Sequence, residues 1–393
     1  MRVLILHNHY QRSGGEDAVV AQEAALLSSA AHEVQVETVS NDAIGSTGDR
    51  LRTFLRTPYD PARKGWVAAL IKRHRPDVVH IHNFFPLLTP AVHEAASDMG
   101  AAVVQTLHNY RTICASALLM RKETVCEKCL TAGRHWALIH RCYRNSYAGS
   151  LATVRMQAQA VRRGSWTAHV HRFIALTEFS RLKFIAGGLP AERIAVKPNF
   201  VTDHSMGTGR ARRGALFVGR LSAEKGVHTL VEAWRRLPDV PLTIVGDGPE
   251  RARLEASSPN HVRLLGWRQP DEVRALMAGA QALVMPSVWY EAFPMTIAES
   301  FASGLPVLAS RLGAMAELIE DGGPGMHFEP GDVESLAGTA RRAFDDPARL
   351  LAMGRAARAA YERLYTPEKN LARLEEIYGE TIAEARQWPS RHR

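Results

Sequence analysis

Two carboxylates, Glu291 and Glu299, lie eight positions apart in the segment EAFPMTIAE. Glu291 falls in an irregular stretch, and Glu299 falls in a helix that we expect to begin near Pro294. Because the first N–H groups of a helix have no intrahelical acceptor, those of Met295 and Thr296 can bind a phosphate. Glu299 can accept hydrogen bonds from two sugar hydroxyls. The pattern predicts a site for an anion and a sugar.

A basic loop, GRLSAEKG, runs from Gly219 to Gly226 after a predicted strand at 215–218. Arg220 offers a planar fork of donors and Lys225 offers a point charge, and together they suit a diphosphate. The alternative is a surface loop with two solvated bases.

Glycines and a histidine mark other strand ends. Gly246, in the run GDGP, allows either close approach of a ligand or simply a tight strand–helix connection. Gly14 and Gly15, in the run SGGE, can admit a phosphate or sugar to the first helix, or merely make the turn. The dinucleotide-binding spacing G-x-G-x-x-G is absent there. His108 can bind a sugar hydroxyl or act as an acid or base, although a lone histidine is often structural.

Four further histidines close predicted strands of the first half, and we expect them to form a polar lining of a ligand cleft: His7, His9, His80 and His82. A metal site is not favoured for them, because no acidic cluster accompanies them in the sequence.

The four cysteines, Cys114, Cys126, Cys129 and Cys142, follow the spacing C-x11-C-x2-C-x12-C. Four clustered thiols in a reducing compartment suggest a structural zinc ion. Two disulfides, an iron–sulfur site and free thiols remain as alternatives. We hypothesise that the segment 109–147 is an insertion that forms a metal-bound lid on the acceptor side.

Short β-branched runs alternate with helical patterns along the whole chain, which predicts parallel βαβ units and an α/β fold. A length of 393 residues favours two domains, each doubly wound and Rossmann-like, with a ligand cleft. The expected ranges are 1–200 for the first domain, 201–213 for a linker, 214–366 for the second domain, and 367–393 for a terminal helix that crosses back to the first.

Net charge is +9, and residues 50–75 hold eight Lys or Arg against one acid, Asp60. Trp66, Val67, Leu70 and Ile71 form one helical stripe there. Such a helix can lie on an anionic membrane surface, or can turn its stripe to the core and its basic face to water. A nucleic-acid partner is disfavoured, because no basic module interleaved with aromatics is visible.

The N-terminal apolar run is too short for a signal peptide, and no run is long enough to span a membrane. We therefore expect a cytoplasmic protein, with the inner face of the membrane as a further possibility.

Taken together, these motifs resemble the retaining GT-B glycosyltransferases of family 4, also called group 1. The resemblance covers essentially the whole chain and is densest from 214 to 330. It rests on the following residues: Glu291 with Glu299, Gly219-Arg220, Lys225-Gly226, Gly246-Asp247-Gly248-Pro249, Pro286-Ser287, Gly304-Leu305-Pro306-Val307 and Gly313.

The resemblance implies a nucleotide-diphospho-sugar donor and a glycan, lipid-linked or small-molecule acceptor. Sugar transfer would proceed with retention and need neither a metal nor another cofactor at the chemical step. The resemblance also implies which residues contact each part of the donor: Arg220 and Lys225 the diphosphate, Glu299 the ribose, Glu291 and His108 the donor sugar, the backbone from Phe293 to Thr296 the sugar and phosphate, and Gly15 the phosphate.

One departure is Asn109, where the family usually has an aspartate. The alternatives are a non-catalytic nucleotide-sugar-binding or zinc-dependent interaction protein on the same scaffold, and a GT-B epimerase, which the Glu-x7-Glu spacing disfavours.

Overall fold

The computed structural model describes residues 1–11, 14–203 and 212–388, which fold into two compact units. Ser13 and most of the predicted linker, residues 204–211, lie outside the described residues. The first unit comprises Met1–Leu119, Cys126–Lys197 and Leu371–Arg393, and the second comprises Met120–Val125 and Pro198–Asn370. Residues 120–125 thus group with the second unit, whereas the sequence places all of 109–147 in the first.

The first sheet is wholly parallel, with strand order β2-β1-β3-β4-β7-β8. The elements up to residue 197 are, in chain order, β1 (Arg2–His9), α1 (Gly15–Ser29), β2 (Glu33–Ser40), α2 (Thr47–Arg56), α3 (Pro61–His74), β3 (Val78–Asn83), α4 (Ala91–Asp98), β4 (Ala102–Leu107), β5 (Met120–Arg121), β6 (Thr124–Val125), α5 (Lys128–Thr131), α6 (Trp136–Ile139), α7 (Tyr147–Arg163), β7 (Arg172–Ala175), α8 (Glu178–Ala186) and β8 (Ile194–Val196). Strands β5 and β6 form a short antiparallel hairpin.

The second sheet is also parallel, with strand order β11-β10-β9-β12-β13-β14. Its elements and the final helix are β9 (Ala215–Val218), α9 (Val227–Trp234), β10 (Leu242–Val245), α10 (Arg251–Ser257), β11 (Val262–Gly266), α11 (Pro270–Gly279), β12 (Ala282–Met285), α12 (Met295–Ala302), β13 (Val307–Ser310), α13 (Gly313–Leu318), β14 (Gly325–Phe328), α14 (Val333–Phe344), α15 (Pro347–Leu364) and α16 (Pro367–Gln387). The predicted pair of doubly wound α/β domains is confirmed.

Central strands are buried on both faces, because helices cover both sides of a doubly wound sheet. Every residue of β3, β4, β12 and β13 is buried, while the edge strand β2 is only partly so. Strand β12 therefore reads as an unbroken apolar run, whereas β3 and β4 also bury polar residues. The carboxyl ends of these strands present loops to a ligand.

Helix α16 ends the described chain and completes the core of the first unit. Leu374, Ile377 and Tyr378 are fully buried there beside Val3 and Ile5 of β1.

The apolar stripe of the basic region turns inward. Val67, Leu70 and Ile71 of α3 are buried, and Trp66 is half-buried. Of the two readings of this helix, the structure supports the core-facing one. None of the helices among the described residues is both long and apolar enough to cross a membrane.

Candidate active site

The second sheet changes its winding direction between β9 and β12, which are neighbours although two strands intervene in sequence. In doubly wound sheets, ligands bind in the crevice at such a switch point. The loops that follow these two strands carry the predicted basic and acidic residues. The sheet topology therefore brings Lys225 and Glu291 to one place.

Lys225 and Glu291 form a close ion pair, with 2.6 Å between Nζ and Oε1. The same carboxylate oxygen also accepts hydrogen bonds from the Ser287 hydroxyl at 2.8 Å and the Trp289 indole at 3.0 Å. Glu291 is buried, whereas 22% of the Lys225 side chain remains exposed. The arrangement fixes a cation at the switch point and leaves it within reach of an incoming anion.

Two glycines let the strand-end loops approach each other. Gly226 has φ +67°, and a Cβ there would lie 1.9 Å from the Pro286 carbonyl oxygen. Gly246 has φ +135°, and a Cβ would lie 1.8 Å from the Gly219 carbonyl oxygen. Any larger residue would push the basic loop away from its neighbours. For Gly246, backbone packing alone thus accounts for the glycine.

Helix α12 begins at Met295, after Pro294, close to the predicted start. Within the described part of the chain, no side chain caps this helix. The Ile297 N–H donates to the Pro294 carbonyl at 3.0 Å, whereas the N–H groups of Met295 and Thr296 come too early in the helix to have an intrahelical acceptor. Phe293 is buried and packs edge-on against Tyr365. That contact anchors the chain immediately before the helix.

Glu299 lies one turn further along α12. Burial raises the pKa of its carboxyl, an effect that nearby Arg274 partly opposes. Within the described ranges, no hydrogen bond to this carboxylate is found. A half-buried carboxylate without a described hydrogen-bond donor is suited to accept hydrogen bonds from the hydroxyl groups of a ligand.

Arg220 stands apart from this cluster. It is exposed, and its side chain makes no hydrogen bond or ion pair within the part of the chain that the structure describes. The structure therefore brings Lys225, Glu291 and the start of α12 together, and leaves Arg220 at the rim of the basic loop.

The first sheet has its own switch point between β1 and β3, and α1 begins beside it. Asp17 of α1 accepts hydrogen bonds from the Gly14 N–H at 2.9 Å and contacts the rings of His7 at 2.7 Å and His9 at 3.0 Å. A Cβ on Gly14 or Gly15 would meet no described atom within 4 Å. Packing among described residues does not require these glycines, which leaves room for a ligand beside them.

His7, His80 and His82 are buried in the first unit, and so do not form the predicted cleft lining. The expectation that no acids accompany them is also wrong. Asp17 contacts His7 and His9, and Glu23 contacts His80 at 3.2 Å and His82 at 3.3 Å. Both acids come from α1: Asp17 closely follows the histidines of β1 in the sequence, whereas Glu23 is remote from His80 and His82 of β3.

The ligand atoms within each of these two His–acid groups lie within 4.8 Å of one another. In the group around Glu23, however, Lys197 Nζ lies 2.9 Å from the carboxylate. His80 is already bonded through both nitrogens, to Tyr378 at 2.7 Å and Thr106 at 2.8 Å. A cation beside an ammonium group is disfavoured, so we assign this group a structural hydrogen-bonding role.

His108 lies at the carboxyl end of β4, partly exposed, and its Nε2 is 2.9 Å from Nδ1 of His82. Burial lowers the pKa of His108 well below its usual value, and His82 and other neighbouring histidines lower it further. Asn109 caps the following turn by accepting the Arg111 N–H at 3.0 Å. It also donates to the Tyr10 hydroxyl at 3.2 Å.

Glu23, Lys197 and Tyr378 are polar groups that sequence reasoning missed. Glu23 carries a usable signal, because it falls on the buried face of α1 between Val19 and Leu27. A glutamate at a core position of an amphipathic helix indicates a buried partner. Lys197 carries no comparable signal in the sequence, whereas Tyr378 lies at core spacing with Leu374 and Ile377 on the terminal helix and only its polar partner is missed.

None of the four cysteines forms a disulfide with another described residue; Cys114 is buried and the other three are half-buried. Burial, and then the other three cysteines, raise the pKa of Cys129 to about 12, which places all four thiols in one neighbourhood. No three of these described thiol sulfurs lie within 4.8 Å of one another. Zinc binding therefore stays a prediction.

Two Rossmann-like units, each with ligand loops at a switch point, define a GT-B fold. Sucrose-phosphate synthase from Thermosynechococcus elongatus superimposes with a TM-score of 0.71 and 17% identity over 98% of this chain and 99% of that one. Anabaena HepE, solved in complex with UDP, gives a TM-score of 0.69 and 19% identity over 96% of this chain and 100% of that one.

Residues 3–204 match the model of Glycosyltransferase Family 4, and residues 210–360 match that of the glycosyl transferases group 1. The chain belongs to glycosyltransferase family 4. It is 39% identical to a glycogen synthase of Mycobacterium tuberculosis over 158 residues, which are 38% of this chain and 37% of that protein. The chain thus matches less than half the length of that relative. It is 27% identical to alpha-D-kanosaminyltransferase of Streptomyces kanamyceticus over 302 residues, 72% of each chain.

Proposed function

We propose that the protein is a retaining, hexosyltransferase-type glycosyltransferase that moves a sugar from a nucleotide-diphospho-sugar to a glycan, lipid-linked or small-molecule acceptor. The observation that carries the proposal is the Lys225–Glu291 pair at the switch point of the second sheet. Binding of UDP by Anabaena HepE, a structure of the same fold, supports the choice of donor class.

Cleavage of a nucleotide-diphospho-sugar leaves negative charge on the departing diphosphate. The Lys225 ammonium and the free N–H groups at the start of α12 can stabilise that charge, as preorganised donors do in other transferases. Arg220, free at the rim of the loop, can close on the diphosphate when it binds. These groups supply positive charge without a metal ion at the chemical step.

A cavity of about 480 Å³ in the first unit suits the acceptor. Phe54 and Tyr143, both partly exposed, supply flat apolar walls that a sugar ring can stack on, and Arg50, Arg144 and the buried Phe85 also line the cavity. Arg111 lies 4.5 Å from the centre of the Phe85 ring. Aromatic faces with arginines favour an acceptor that combines a sugar with a negatively charged group.

The test is turnover of UDP-, GDP- and ADP-sugars, first by hydrolysis and then with candidate acceptors. We expect one nucleotide class to bind, to raise the melting temperature and to be cleaved, and we expect product NMR to show retention at the anomeric carbon. Failure of all three classes to bind would overturn the proposal. Turnover that requires an added divalent cation would overturn its metal-independent part.

The acceptor cavity is tested separately with Arg50→Ala/Arg144→Ala. This variant should raise KM for the acceptor and leave donor hydrolysis unchanged. An unchanged acceptor KM would place the acceptor elsewhere.

A further inference from the structure

A chain of polar contacts runs from the interior of the first unit to its candidate site residue. Lys197 Nζ lies 2.9 Å from Oε2 of Glu23, and the other carboxylate oxygen lies 3.3 Å from Nε2 of His82. Nδ1 of His82 is in turn 2.9 Å from Nε2 of His108. Glu23, His82 and Lys197 are each at most 3% exposed, whereas His108 is partly exposed.

Further contacts fix the positions of Glu23 and of the two histidine rings in this series of contacts. His80 contacts the same oxygen of Glu23 at 3.2 Å, and is itself fixed by Tyr378 and Thr106. The rings of His82 and His108 lie 20° from parallel, with centres 5.2 Å apart. The hydrogen bond between these two rings therefore has a defined orientation.

Each contact determines where the next proton lies. Burial alone would raise the pKa of Glu23, but Lys197 and the two histidines hold it well below its usual value, so the group is a carboxylate. Oε1 of Glu23 and Nε2 of His82 lack the alignment of a hydrogen bond, but at 3.3 Å a negative oxygen favours an N–H over a lone pair facing it, so we place the proton of His82 on Nε2.

Burial lowers the pKa of His82 to about 3, so this ring is neutral and holds a single proton. Its Nδ1 is then an acceptor, and His108 must donate to it from Nε2.

We infer that Glu23 and His82 are positioning residues that hold His108 as its Nε2–H tautomer and leave Nδ1 as a hydrogen-bond acceptor for a substrate hydroxyl. Among the described residues, His108 has no other hydrogen bond that would occupy Nδ1. An unprotonated ring nitrogen attracts a hydroxyl and repels a phosphate oxygen. The group that His108 contacts is then a sugar hydroxyl and not the diphosphate. The role of this contact in transfer rests on the proposed function, whereas the tautomer does not.

The tautomer is measured directly by NMR of protein labelled with ¹⁵N-histidine, with His108→Gln used to assign the His108 signals. At pH 7 we expect a protonated Nε2 and a bare Nδ1. His82→Phe should abolish this preference. His82→Asn, whose amide oxygen can take the place of Nδ1, should preserve it. A protonated Nδ1 in the wild type would overturn the inference, as would an unchanged tautomer in His82→Phe.

Kinetics separate positioning from packing. His82→Phe should lower kcat/KM by up to about 100-fold, the effect expected when a contacting group is displaced by about 1 Å. His82→Asn should recover most of the loss. His93 is an equally buried histidine, bonded to Gln105 and not to His108, so His93→Phe controls for lost packing. Equal losses in His82→Phe and His93→Phe, without recovery in His82→Asn, would reduce His82 to a packing role.

The two proposals fail in different ways. If the wild type turns over no nucleotide-sugar, the proposed function falls, while the tautomer measurement still decides the inference. If turnover is present and Nδ1 of His108 carries the proton, the inference alone falls.

Discussion

The two sheets place polar groups at their switch points in contrasting ways. In the second unit, Lys225 and Glu291 form a charged pair, and the lysine keeps 22% of its side chain exposed. In the first unit, Glu23, His80 and His82 are almost completely buried, and only His108 reaches the surface. An exposed cation can exchange its carboxylate partner for a ligand phosphate. Buried histidines whose nitrogens already bond to protein groups do not exchange partners readily, so they orient a ligand and do not neutralise it.

Loss of Lys225 tests the charged side of this comparison and should have the largest effect. Lys225→Ala is expected to lower kcat by about 100- to 1,000-fold, the usual consequence of removing one preorganised donor to a developing anion. Steady-state turnover of the donor measures it. Lys64→Ala breaks a comparable surface pair with Asp98, 2.7 Å apart, and should leave turnover intact.

Because Lys225→Ala also leaves Glu291 unpaired, Lys225→Ala/Glu291→Gln is the companion variant. It removes the unpaired charge and should remain as inactive as the single variant. Normal turnover in either would contradict the diphosphate role of Lys225.

Glu299 should show the next largest effect, because its half-buried carboxylate has no described hydrogen-bond donor. Glu299→Ala is expected to weaken donor binding by about 10- to 100-fold, since hydrogen bonds to a charged group contribute about 1.5–3 kcal/mol. Calorimetric titration with the nucleotide diphosphate measures it, and Glu232→Ala on the exposed face of α9 is the control.

The pH dependence of binding provides a second check on Glu299. Burial raises the pKa of its carboxyl, so protonation sets in at a higher pH than for an exposed glutamate. Donor affinity should fall as the pH falls through this raised pKa, and Glu299→Gln should remove that part of the pH dependence. Identical pH profiles for the two proteins would exclude a ribose contact by Glu299.

The four cysteines allow a third test, and this one concerns the first unit. If the four thiols bind zinc, protein purified anaerobically should contain a single zinc ion per chain, and a chelator should lower the melting temperature by several degrees. Cys129→Ser should lose the metal, while Ser116→Ala, beside Cys114, should keep it. Metal-free wild-type protein would contradict the zinc prediction.

Glu16 is tested through the pH dependence of stability and not through activity. Burial raises the pKa of its carboxyl to about 8, and Oε1 is buried without a described hydrogen-bond partner. The folded state then binds a proton that the unfolded state releases near pH 4.5. Stability contributed by the neutral acid is full below that pH and is lost as the pH rises towards 8.

Glu16→Gln should therefore lose less stability than the wild type between pH 5 and 8 in denaturant titrations. Glu33→Gln, on the exposed edge strand β2, is the control. Parallel pH profiles for wild type and Glu16→Gln would show that Glu16 is already ionised in the folded protein.

Much of the fold could be predicted from the sequence. Strand β9 begins and ends at the predicted residues 215–218, because a strand buried on both faces reads as a continuous apolar run. Strands β8 and β14 were not predicted from the sequence. The first has only three residues, and the second begins at Gly325 and contains the buried His327, so neither gives an apolar run.

The candidate site could be predicted only in part. Lys225, Glu291 and the start of α12 carry local motifs, so their place at strand ends was accessible. The histidine network was not, because its partners are remote in sequence: Lys197 lies 174 residues from Glu23, and Tyr378 lies 298 residues from His80. Only the folded topology brings such groups together.

The return of α16 to the first unit has a consequence for synthesis. Residues 374–378 supply core side chains, and Tyr378 a hydrogen bond to His80, for strands that leave the ribosome hundreds of residues earlier. The first half of the chain therefore emerges with an unfilled groove along its sheet, and must wait through translation of the whole second unit. During that interval it is the part of the nascent chain most in need of a chaperone.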